Sequence, residues 1–177
     1  SKFLSIFENT DVDVDTLFLK LYGLLKPDEY LKYVQEDDGN IFCFIVFNSS
    51  KIRIYFPGLV LTSFNDLIMS PFAFFSLFAG ELFNIESKFS KGKLNFIIHD
   101  RYLGNRTKIF DILNHEIKNF DTKIEVYGHS LGCIYSAFFV ADKKLRHPLS
   151  FAVNFGNPIY MSSIGSDSKF IKSVKDL

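Results

Sequence analysis

KIEVYGHSLGCIYSAFFVAD, residues 123–142, is the stretch on which the fold reading turns. Residues 123–127 are a β-prone run. Gly128-His129-Ser130-Leu131-Gly132 follows at once. SLGCIYSAFFVADKK, residues 130–144, is then apolar nearly all round, the mark of a buried helix. Gly-x-Ser-x-Gly by itself is weak and arises by chance in roughly one chain in twenty of this length. Its place between a strand and a helix sharpens it, because a serine presented on such a turn takes strained backbone angles and needs neighbours without side chains. Gly128 and Gly132 meet that need. The alternative is a helix-capping Ser130 between packing glycines, and the functional reading outweighs it.

Working outward, apolar residues at 14, 17, 18, 21, 24 and 25 have helical spacing that stops at Pro27. A second short helix is expected over 28–35, and EDDGN (36–40) as a turn. IFCFIVFN (41–48) and KIRIYF (51–56) read as two strands of a hairpin, ended by Pro57-Gly58. Residues 61–83 are apolar and aromatic, broken at Pro71, and suit two short helices. LNFIIH (94–99) reads as a strand and 105–120 as a helix, with Ile109, Ile112, Leu113 and Ile117 on one face. LSFAVNF (149–155) is a further strand, and SKFIKSV (168–174) reads as the last. Strands alternating with helices predict an α/β domain over residues 1–177 with a mainly parallel sheet and helices on both faces.

Composition sets limits on function. The chain has 177 residues, 47% hydrophobic and 23% charged, with zero formal net charge. That suits one cored domain and offers no basic face for nucleic acid. The cluster Lys88, Lys91 and Lys93 reads as a solvated loop. Two cysteines, Cys43 and Cys133, lie in apolar runs and suggest no disulfide framework. With no visible signal peptide, they favour a cytoplasmic setting. No apolar run is long enough to span a membrane. Neither a metal constellation nor a phosphate-cradling loop is visible, so no metal and no cofactor are expected. Phe makes up 22 residues and Trp none, which with abundant Lys, Ile and Asn points to an AT-rich coding sequence rather than to any chemistry.

The segment VYGHSLG (126–132) resembles the nucleophile elbow of the class 3, fungal-type lipases of the α/β-hydrolase superfamily. Other segments follow in that family's order. IRIYFPGLVLTSFNDLI (52–68) resembles its strand ending in Phe-x-Gly, IIHDRY (97–102) its Val-His-x-Gly-Phe, and VNFGNP (153–158) its Phe-Gly-x-Pro. The GHSLG and FGNP pieces are specific and the others loose. The resemblance implies an α/β-hydrolase fold and hydrolysis of acylglycerol or phospholipid esters through an acyl-enzyme on Ser130. It assigns oxyanion donation to the backbone N–H groups of Leu131 and Leu59, and structural roles to Gly128, His129 and Gly132. Leu59 stands where the family has Thr or Ser, Pro57 where it has Arg, and Arg101 where it has Gly. Residues 62–78 would form the lid, rich in Phe, and could touch a lipid surface peripherally. Spacing alone does not separate lid from core, and core is the expectation for at least half of these aromatics.

A serine needs a base and an acid. The family's acid follows the strand after Phe-Gly-x-Pro, which points to Asp176; an exposed terminal charge is the even alternative, and Asp167 the weaker substitute. No histidine follows in the family's place. His147 precedes that strand, His129 belongs to the elbow, His99 matches a structural histidine, and His115 lies on an exposed helix face. The expectation is a domain incomplete at its C-terminus, with the base beyond Leu177. It is then either the N-terminal part of a longer lipase or an inactive relative that binds lipid or a protein partner.

Overall fold

A computed structural model describes residues 14–37, 39–57, 80–119 and 121–155. The elements are α1 (Val14–Gly23), β1 (Tyr30–Gln35), β2 (Ile41–Phe47), β3 (Lys51–Phe56), a 3-10 turn (Gly80–Phe83), β4 (Asn84–Glu86), β5 (Lys93–Asn95), α2 (Phe96–Glu116), β6 (Lys123–His129), α3 (Gly132–Val140) and β7 (Leu149–Phe155). Leu59, the segment 62–78, Asp167, the expected strand 168–174 and Asp176 lie outside the described residues.

The architecture is mixed α/β. Five strands form one sheet in the order β1-β2-β3-β6-β7. The first three pair antiparallel, and β3, β6 and β7 run parallel. Connection length explains the division. Short turns at 36–40 and 48–50 permit only antiparallel neighbours, whereas the parallel pairs are joined through α2 and α3. In the second turn the Asn48 carboxamide oxygen accepts from the N–H groups of Ser50 at 3.0 Å and Lys51 at 2.8 Å, so the side chain stands in for a backbone turn. In the first, Gly39 adopts φ +89°, which suits a residue without Cβ.

Strand alternation gives each face its own core. Ile52, Ile54 and Phe56 of β3 and Ile124 and Val126 of β6 face α2 and α3. Phe44, Val46 and Tyr55 face the other way and pack with Leu21 of α1. Helices therefore cover both faces, as the alternating pattern implied. β2 is buried at all seven positions, as befits a central strand of β-branched and aromatic residues. Below α2 and α3 lies an aromatic nest: Tyr102 and Phe138 sit 4.6 and 5.3 Å from Phe89, centroid to centroid. Among the described residues no helix is long and apolar enough to cross a membrane.

Two expected elements are corrected. Residues 28–35 are not a helix; Tyr30–Gln35 is an edge strand paired with β2. A segment so short cannot hold a helix alone, and the seven-residue β2 beside it offers a ladder of backbone partners. Residues 94–99 are not a strand. Only Lys93–Asn95 extends, pairing with β4, and α2 starts at Phe96. The Asn95 side chain accepts from the Ile97 N–H at 3.1 Å and starts the helix, while Ile98, Tyr102, Ile109 and Leu113 carry its buried face back to the first turn.

Candidate functional site

The serine turn stands where β6 hands over to α3. Ser130 has φ +51° and is the one non-glycine residue with positive φ among the described residues. A side chain in that region costs about 1 kcal/mol or more, so the surroundings must hold it there. They do so through two glycines. A methyl group on Gly132 would meet the Phe56 carbonyl oxygen at 2.0 Å and that of Pro57 at 2.6 Å. One on Gly128 would lie 2.5 Å from the Asn154 side-chain oxygen and 2.8 Å from the Cys133 Cα. Only glycine lets the helix start press against the end of β3 and lets β6 pass under it. The first α3 bonds then close, Cys133 N–H to Ser130 C=O and Ile134 N–H to Leu131 C=O, both at 3.0 Å.

The result is an exposed serine at the carboxyl end of the parallel strands, above a buried helix. Phe56, Gly128 and Asn154 lie side by side in register, so three parallel strands end at one level. Crevices at the carboxyl ends of parallel strands are where α/β proteins place their ligands. Leu131 is in αR conformation at the cap of α3, ahead of the first helical bonds, and a helix start favours an anion. Gly128 and His129 thus end β6, Ser130 and Leu131 make the turn, and Gly132 opens α3. Leu59 and Asp176, the expected partners of that serine, lie outside the described residues. Asn154 was passed over in the sequence. Its place beside Gly128 depends on the register of two strands far apart in the chain, which no local pattern encodes.

His99 and His115 are engaged with other residues, and His147 stands at the other end of the sheet. His99 is fully buried in the first turn of α2. Its Nε2 accepts the Lys88 N–H at 3.2 Å, its Nδ1 faces the Asp100 carboxylate at 2.9 Å, and its ring stacks on Phe89. His115 is exposed and faces Glu116. His147 precedes β7, and the Pro148 carbonyl accepts from Ile124 at the start of β6. It therefore lies a strand length, about 20 Å, from the serine end. His129 adjoins Ser130, but strand alternation sends its side chain to the α1 face, as with Tyr127.

Arg101, which replaces the glycine of the resembled motif, is structural. Its guanidinium meets the Glu36 carboxylate at 2.8 and 2.6 Å and lies over the rings of Phe42 and Tyr135. Burial works against the charge, yet the bonds to Glu36 outweigh it and hold the guanidinium protonated. Burial likewise pushes the Cys43 thiol far up, which makes it inert. Among the described residues no group of three or more His, Cys, Asp or Glu could hold a metal. No protein-family model matches the chain, and no curated protein matches it.

Proposed function

We propose that the protein is a serine ester hydrolase of the class 3 lipase type, built on an α/β-hydrolase fold. The observation that carries this reading is the left-handed φ of Ser130 at a strand-to-helix turn between two glycines that tolerate no side chain. Maintaining such a residue costs stability, and an exposed nucleophile is the use to which that cost is commonly put. In the proposed reaction Ser130 Oγ attacks an ester carbonyl carbon while its proton passes to a general base. The developing oxyanion is held by the Leu131 N–H and, following the resemblance, by that of Leu59. Collapse breaks the ester bond and the alcohol leaves with the proton. Water then releases the acid and regenerates Ser130. Acylglycerols or phospholipids presented at an interface, met through residues 62–78, are the substrate class the resemblance implies. Asp176 is the proposed acid.

The placement of the histidines favours a second reading, a lipase-like protein that binds lipid or a partner chain without turnover. His99 is engaged elsewhere, His115 faces solvent and His147 is at the far end of the sheet. A fluorophosphonate probe separates the two. Covalent labelling of the protein that is lost in Ser130→Ala supports hydrolysis. Absence of labelling, with retained binding to mixed phospholipid vesicles, overturns it in favour of the binding protein.

A further inference from the structure

At the end of the sheet remote from Ser130, a cavity of about 230 Å³ opens between the C-terminal half of α2 and the loop from α3 to β7. Phe110 and Asn114 line it from α2, and Lys144, Arg146 and His147 from the loop. Among the described residues that line it, Lys144 and Arg146 are basic and none is acidic. Asp142, two residues before Lys144, is buried and already held by Arg106 at 2.6 and 2.7 Å and by the Tyr102 hydroxyl at 3.0 Å. Asp111 is exposed on α2 and does not line the cavity. Among the described residues neither Lys144 nor Arg146 has a carboxylate partner.

The loop that carries these cations is fixed rather than slack. The Lys144 N–H donates to the Asp142 carboxylate at 2.8 Å, the Leu145 N–H to the Asp142 carbonyl at 2.9 Å, and the Lys143 N–H to the Phe89 carbonyl at 3.0 Å. Leu145 packs on the main core, so its neighbours 144 and 146 turn outward. Lys144 Nζ stands 5.3 Å from the centre of the Phe110 ring, which itself stacks on Phe139. That ring face holds the Lys144 ammonium at the cavity wall.

We propose that this cavity binds a small phosphate-class anion, either inorganic phosphate or the phosphate monoester of a small ligand. A planar guanidinium fork, an ammonium point charge and the Asn114 carboxamide together supply the donors that a tetrahedral dianion takes. The volume falls below the roughly 300–1,000 Å³ of sites for larger organic ligands. The site lies about 20 Å from Ser130, a strand length away, and acts apart from the hydrolytic reading.

The test is a titration of the whole chain with sodium phosphate at constant ionic strength, read by calorimetry and by the thermal unfolding midpoint. Saturable binding, with no such saturation by chloride, is expected. Arg146→Gln and Lys144→Gln should each weaken it about tenfold, the scale of one charge-assisted contact. Lys143→Gln, an exposed neighbour outside the cavity, should bind as the native protein does, and so should Ser130→Ala. Circular dichroism checks that each variant is folded. Equal weakening by Lys143→Gln, or no saturation by phosphate, overturns the proposal. Glycerol phosphate distinguishes the sources: tighter binding than phosphate means a monoester, and equal or weaker binding means the free anion.

Discussion

Ser130 sits in a conformation that its own Cβ opposes. If that strain is held by the surroundings, removing the Cβ should relax it. Ser130→Gly is expected to raise stability by about 1 kcal/mol, whereas Ser130→Ala, which keeps the Cβ, should leave it nearly unchanged. Urea unfolding of the three proteins checks this, and a stabilising alanine would show that φ strain is not the issue. The flanking glycines behave oppositely. Gly132→Ala drives a methyl into the Phe56 and Pro57 carbonyls and should cost about 3 kcal/mol, since backbone on both sides leaves little room to give. The same variant should lose probe labelling beyond its loss of stability, because the helix start must shift away from Ser130.

Between elements, α2 is tied at each end. Near its start Arg101 and Asn105 bind Glu36 in the turn before β2, with Asn105 Nδ2 at 3.0 Å. In its middle Tyr102 and Arg106 bind Asp142 after α3. The Asp142 bond comes first among the causes that raise the Arg106 pKa. Asp142→Ala leaves a buried tyrosine hydroxyl and a guanidinium without their acceptor, and should cost about 3 kcal/mol in chemical unfolding. At the far end the Tyr30 hydroxyl donates to Glu116 at 2.7 Å. That bond, followed by the one from His115, holds the Glu116 carboxyl below its usual range. Burial first, and Glu116 next, push the Tyr30 phenol up to about 12. A depressed acid stabilises the fold above its unfolded pKa and loses that effect as pH falls. A raised phenol stabilises below about 10, its unfolded value, and loses that effect as pH climbs towards 12. The stability gap between native protein and Tyr30→Phe should therefore be widest from about pH 5 to 9 and close on both sides. A gap independent of pH in a pH series of unfolding curves would refute the coupling.

For the molecule as a whole, the α2 and α3 face bears most of the packing. Phe138 meets Phe89, Tyr102 and Tyr135 and is almost wholly buried. Phe138→Ala should cost about 4 kcal/mol, a large share of the roughly 5–15 kcal/mol that holds such a domain. A lowered thermal midpoint with a native-like spectrum at low temperature is the expected record. The other face is different: α1 covers Phe44 and Tyr55, and the aromatic row continues through Tyr127 to Phe151, which is exposed among the described residues.

Local chemistry alone determined much of this. The apolar periodicity of α1, the run 41–47, the Asn48 turn and the glycine-flanked Ser130 were all legible, because each depends on neighbours within a few residues. The helix expected at 28–35 and the strand expected at 94–99 were not. Tyr30–Gln35 shows spacing compatible with a helix, and only the ladder offered by β2 made it extended. Ile97 and Ile98 are β-prone, and only the Asn95 cap and the buried stripe down to Leu113 made them helical. The site divides in the same way. The sequence sufficed for the turn that lifts Ser130. Only the tertiary structure could show that β3, β6 and β7 end level beside it, that Arg101 belongs to Glu36, and that His147 stands at the opposite end of the sheet. Those relations join residues far apart in the chain, and strand register, which no local pattern encodes, sets their distances.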